Sequence, residues 1–364
     1  MNTRYSSFNL GKHILFILLS GSLFSCNHDP HSEPDNIFNT TFHLKSRVLI
    51  PSSRLIDPWT LQNMDSILFV TNNRGTPVVE AYDWNGKKIN SFINRGRNSE
   101  NIAMIGAIQP DFARDCIYLY DLFEKKILRV STSLIAKGMQ IYPRLLMDFK
   151  TSALPLDIID KAYIMDSTIV VSSKSPRGRL LVYNQNRGSF QEKIPYPETE
   201  KGLSDYENAE LYAGQVAISP DKRKLAMATY TAGLLSLYNI DKDDFRLIWS
   251  DTSFLPKGWR RIAMADTTRI AFTNESKAGY LDICATNEFV FSVFSGKLYK
   301  EKDYSFSNII RAVSWDGKKR YQLVVDRMIN RLSVSQDNSS IFAISPNSKN
   351  EPEIVVFNIE HLLK

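Results

Sequence analysis

From about residue 41 onward, the apolar residues fall in short runs separated by polar turns. Six runs open alike: "DSILFVT" at Asp65, "DCIYLYD" at Asp115, "DSTIVVS" at Asp166, "DKRKLAMA" at Asp221, "NEFVFSVFSG" at Asn287 and "DNSSIFAIS" at Asp337. They recur about every fifty residues, with one longer gap. A second run ending in a polar turn follows most of them: "VVEAYDWNGK" at Val78, "RLLVYNQNRG" at Arg179, "GLLSLYNIDKD" at Gly233, "RAVSWDGK" at Arg311 and "EIVVFNIEH" at Glu353. Helical periodicity is nearly absent and the runs are rich in Val, Ile, Tyr and Phe, which predicts strands. The recurring Asp and Asn read as turn formers, because their short side chains bond to nearby backbone.

Each pair of runs with a strand on either side makes a four-stranded unit, and six such units predict an all-β chain folded as a six-bladed β-propeller. The last unit ends at "VVFNIEHLLK" without a fourth strand, while "TFHLKSRVLI", Thr41 to Ile50, precedes the first unit. Pairing these ends would close the ring, so the propeller domain is expected over residues 41–364.

The N-terminus follows another pattern. Arg4 and Lys12 precede the apolar run "ILFILLSGSLF" from Ile14 to Phe24. As a helix rising about 1.5 Å per residue, that run covers only about half of a bilayer core roughly 30 Å thick, which favours a cleaved signal over residues 1–25. Leu23, Phe24 and Ser25 before Cys26 resemble the lipobox of bacterial lipoproteins, where the cysteine is acylated and becomes the new terminus. The resemblance implies a lipid membrane as one partner, with several buried acyl chains at about 0.8 kcal/mol per CH₂ making the anchor stable. Residues 26–40 are polar and carry Pro30 and Pro34, as expected of a flexible tether. Asn27 after the cysteine points to the outer membrane, on its periplasmic or outer side.

Charge narrows the partners. Removing residues 1–25 takes away two bases and no acid, so the formal charge falls from +6 to +4. No basic block or aromatic-basic stripe is present, which gives a nucleic-acid partner no footing. Cys116 and Cys284 sit in strand-like runs and are expected to be free, buried and hydrophobic. There is no G-x-S-x-G, H-E-x-x-H, Gly-rich phosphate loop or C-x-x-C, so no catalytic residue, cofactor or resident metal is assigned. The alternative is a metal-assisted hydrolase or lyase using calcium-type oxygen ligands in the channel, drawn from Asp160, Asp205, Glu207, Asn208 and Glu210.

"AISPDKRKLAMA", Ala217 to Ala228, resembles the TolB-type propeller repeat. "AGYLDICATNEFVFSVFSGK", Ala278 to Lys297, resembles the matching segment of TolB-like six-bladed propeller lipoproteins of Bacteroides-type bacteria. The sequence departs from such propellers at "NRGRNSENIAMIG", Asn94 to Gly106, which keeps Gly96 and Gly106 but not the glycines between. The resemblance implies a fold and an envelope location, and no particular activity.

Function is therefore expected in loops. Strands alternate in direction within a blade, so the loop between its second and third strands and the loop to the next blade share one face, here called the top. To it fall Arg95, Arg97, Arg177, Arg179, Tyr206 and Tyr212, and the insertion Asp251 to Ser276 with Trp259, Arg260 and Arg261. Guanidinium forks match carboxylates and aromatic faces stack on sugars. Trp259, Arg260, Arg261, Arg95, Arg97, Arg177 and Tyr212 are the candidate rim for an envelope protein, saccharide or peptide ligand.

Overall fold

The computed structural model describes residues 37–38, 40–151, 159–173, 175, 178–197, 202–242, 244–264 and 268–363. The signal motif, Cys26 and Arg177 lie outside them. The chain from Ile37 onward forms one compact unit of six four-stranded blades. The inner strands are Pro58–Met64, Ile105–Asp111, Ile159–Met165, Gly214–Ile218, Tyr280–Ala285 and Arg331–Val334, for blades one to six.

Burial explains why the second strands were so visible in the sequence. Ile67–Asn72, Cys116–Asp121 and Phe289–Phe294 are buried at every position, because a neighbouring blade covers each of their faces. A strand covered on both faces reads as a continuous apolar run. Outer strands such as Ser189–Lys193 expose one edge and are mixed in composition. The core is accordingly a chain of inter-blade clusters, with Phe69 packed between blades one and two, Tyr163 among blades two to four, and Phe342 between blades six and one. Asp65 and Asp115 adopt positive φ (51° and 46°) in the turns between first and second strands, which short polar side chains tolerate. Cys116 and Cys284 are free and buried.

Ring closure differs in detail from the expectation. The segment Thr41 to Ile50 divides between two blades: Thr40–Leu44 runs parallel to Arg320–Ile329, the fourth strand of blade five, and Ser46–Ile50 pairs antiparallel with Pro352–Asn358 as the fourth strand of blade six. Just before it, Phe38 is buried among Tyr280, Phe294 and Trp315, with the Arg311 guanidinium 4.6 Å from its ring. The segment from Phe38 to Ile50 therefore straps blades five and six. The reason is geometric: the fourth strand of blade five and the third strand of blade six, Pro352–Asn358, each present an open edge, and one extended chain satisfies each in turn.

Inner strands of adjacent blades are tied by side chains. The Asn63 N–H donates to Ser333 Oγ (2.8 Å), Gln109 exchanges hydrogen bonds with the backbone of Ile164 (2.9 and 2.6 Å), and Tyr163 OH donates to the Val216 carbonyl (2.9 Å). Gln215 Nε2 donates to the Leu281 carbonyl (2.5 Å) and the Leu332 N–H to Asp282 Oδ2 (2.9 Å). Five of the six blade junctions are thus cross-linked, and each link puts a polar residue on an inner strand at the centre of the ring.

A candidate ligand site in the central channel

The inner strands enclose a cavity of about 620 Å³, to which all six blades contribute. That size lies within the range of about 300–1,000 Å³ usual for small-molecule sites. Inner strands run from the top face downward, so residues near their starts lie at the top. There stand Asp160 and Lys161 of blade three, Gln215 of blade four, Asp282 of blade five and Arg331 of blade six. Aromatic walls come from Trp59, Tyr163 and Tyr230, with Tyr299 and Tyr304 from a top-face loop of blade five.

Neutral partners hold Lys161, Asp282 and Arg331. The Lys161 ammonium, half-exposed to the cavity although deep within the protein, donates to Gln215 Oε1 (2.9 Å). Burial pulls its pKa down; Asp282 and Asp160 oppose that, and Arg331 adds to it. Burial pushes Asp282 up, against Arg331, Lys161 and the N–H groups of Leu332 and Ile283. Arg331 donates to the Asn330 carbonyl (2.8 Å), and its guanidinium lies 5.1 Å from the Trp59 ring centre. Asn330 Oδ1 is buried and accepts no hydrogen bond from protein.

At the lower end, Lys222 of blade four reaches past blade three to Asp111 of blade two (2.8 Å). Arg114 (2.8 Å) and Tyr118 OH (3.1 Å) donate to the same carboxylate oxygen. Burial raises the Asp111 pKa, and the donors outweigh it, holding the group at about 2.

The top-face insertion folds as a hairpin, with Trp259–Ala263 paired to Thr268–Phe272. Its neck needs Gly258, whose φ is 69° and where a Cβ would sit 2.4 Å from the Glu275 backbone. The hairpin docks on the helix Asp205–Leu211, which opens with a capping box of Ser204 and Glu207. Arg261 Nε donates to Glu207 Oε1 (2.7 Å), while Glu210 accepts from Arg269 and from the Ile270 N–H (2.7 Å each). Trp259, Ile270 and Phe272 pack on Leu211 and Tyr212. Phe272 in turn contacts Tyr299, which stacks 4.8 Å from Tyr304 at the cavity.

The structure thus brings Trp259, Arg261 and Tyr212 into one assembly, with Tyr212 buried and Arg261 engaged by the helix. Arg260 is exposed on the hairpin. Arg95 stands apart on the blade one side, donating to the carbonyls of Asn72, Asn73, Gly75 and Ala103, and exposed Arg97 pairs with Glu124 at 3.5 Å. Arg179 is buried rather than on the rim, with the polar ends of Tyr238, Tyr196 and Tyr212 around it. Of the five oxygen-ligand candidates only Asp160 lines the cavity; the other four lie on the helix. Among the described residues no three His, Cys, Asp or Glu side chains converge as a metal-ligand group.

Sequence reasoning missed Lys161, Gln215, Asp282 and Arg331. The available signal was a charged or amide residue near the start of a mostly apolar inner strand, as in "IDKAYIM", "GQVAI", "YLDICA" and "RLSV". "SDYE", Ser204 to Glu207, likewise carries the capping-box pattern of the unforeseen helix.

No curated protein matches the sequence. The crystal structure of a DUF4221-family member from Bacteroides vulgatus superposes with a TM-score of 0.54 at 10% identity, covering 86% of this chain and 95% of that one. A Bacteroides fragilis protein described as exported aligns at 11% identity with a TM-score of 0.49, covering 87% of this chain and 99% of that one. Identities this low speak to the fold alone. Residues 32–337 match the family model described as TolB-like 6-blade propeller-like, a span that takes in blades one to five and the inner strand of blade six. On that match and that architecture, the chain belongs to the TolB-like six-bladed propeller family.

Proposed function

We propose that this protein is a lipid-anchored binding module of the cell envelope, tethered to the outer membrane through Cys26, which takes a small polar ligand such as a saccharide or peptide fragment into its channel from the top face. The observation that carries the reading is the 620 Å³ cavity, with fixed donors and acceptors at its top and aromatic walls. Pockets with a few convergent polar groups on an otherwise apolar lining are the usual form of a ligand site. Anchoring rests on the lipobox-like ending and the tether composition. On the rim, Arg260 and Arg97 remain exposed for a first encounter, whereas Arg95 and Arg261 already hold loops together.

The test is a melting-temperature screen of the detergent-solubilised full chain against glycans and short peptides. A ligand at about a hundred times its Kd adds about 2.7 kcal/mol, which moves the midpoint of a chain this size by a few degrees. The shift is expected to persist in Arg97→Ala/Arg260→Ala and to vanish in Trp59→Ala. The opposite pattern would move the site from the channel to the rim.

A further inference from the structure

This inference rests on the channel being the ligand site and specifies what enters it. Asp160, Lys161, Asp282 and Arg331 face one cavity from three blades. Among the described residues no direct ion pair joins any two of them, yet their charges act on one another across the space. Neutral groups set the positions of Lys161, Arg331 and Asp282 instead. Lys161 spends one donor on Gln215 Oε1 (2.9 Å), itself fixed by the Leu281 carbonyl. Arg331 is placed by the Asn330 carbonyl and the Trp59 ring, and Asp282 by the Leu332 N–H. Lys161 and Arg331 keep hydrogen-bond donors to spare, and Asp160 and Asp282 keep acceptors.

Such a site has two cations, two carboxylates and no net charge. A neutral ligand leaves all four incompletely compensated away from bulk water. A dianion meets two like charges, and a dication meets the other two. A ligand with one carboxylate and one ammonium engages both signs at once. Burial works against both Lys161 and Asp282 in their charged forms, so opposite charges brought by a ligand stabilise both.

We propose that the channel mouth binds a small zwitterion, an amino acid or a short peptide with free ends, its carboxylate on Lys161 and Arg331 and its ammonium on Asp160 and Asp282. The cavity has room for side chains beside the head group, against Tyr230, Tyr299 and Tyr304.

Titration calorimetry on the detergent-solubilised full chain tests this, using alanyl-alanine, its N-acetyl and C-amide forms, glucose, glucuronate and succinate. Alanyl-alanine is expected to bind, and blocking either end to weaken it about ten-fold or more, the loss of one charge-assisted contact. Asp160→Asn should erase the preference for the free amine and Lys161→Met the preference for the free carboxylate. Thermal melting without ligand checks that each variant is folded, and Arg331→Gln replaces Lys161→Met if that variant is not. Glucose or glucuronate binding more tightly than the dipeptide, and weakened by Lys161→Met, would overturn the zwitterion and leave the channel as the site. Binding that no channel variant alters, or no binding by any probe, would overturn both readings.

Discussion

Replacing Asp111 with Asn should flatten the acid branch of the stability curve. Asp111 is almost wholly buried and accepts from Lys222, Arg114 and Tyr118, and its pKa is lowered from 3.8 to about 2. A depressed folded-state pKa contributes stability that is full above the unfolded value and is lost as pH falls through the folded one. At about 1.4 kcal/mol per tenfold change in the proton-binding constant, that lowering contributes about 2–3 kcal/mol at neutral pH, most of it lost between about pH 4 and pH 2. Urea unfolding of both proteins from about pH 6 to about pH 2.5 should show the gap between wild type and Asp111→Asn narrowing by about 1–2 kcal/mol on acidification. Other carboxylates with lowered values, Asp337 and Glu207 among them, titrate in both proteins and cancel from the difference. A constant gap across that range would mean that the bridge from blade four to blade two does not hold Asp111 ionised, and would refute the argument.

Phe38→Ala should destabilise the propeller by about 3–5 kcal/mol, since Phe38 is 1% exposed and fills the start of the strap; chemical denaturation measures it, and a loss below about 1 kcal/mol would detach the strap from ring stability. Arg261→Met leaves the buried Glu207 carboxylate without its charged partner, at a cost of about 1–3 kcal/mol. Amide exchange should quicken in the hairpin and the helix while the second strands of the blades stay protected; unchanged exchange would show that the apolar contacts of Trp259 and Phe272 suffice. Cys26→Ala should leave an unacylated precursor that no longer enters the detergent phase on partitioning, and normal partitioning would sink the anchoring proposal.

The sequence by itself determined the repeat, the strand class and the number of blades. Those features are local: a second strand buried on both faces must be an unbroken apolar run, and the turn before it needs a residue such as Asp65 or Asp115 that accepts a left-handed backbone. The closing role of the N-terminal segment was legible for the same reason, because the last unit visibly lacked a strand. Only the tertiary structure decided that this segment divides between blades five and six, since the choice depends on which strands have free edges. It also decided which charges are spoken for. Arg261 and Glu207 are 54 residues apart and meet only when the hairpin lies on the helix. Asp160, Lys161, Asp282 and Arg331 come from three blades, and nothing in the spacing along the chain brings them together. A propeller's inner strands are neighbours in space through ring closure alone, so the polar groups at its centre are assembled by geometry and carry no contiguous motif.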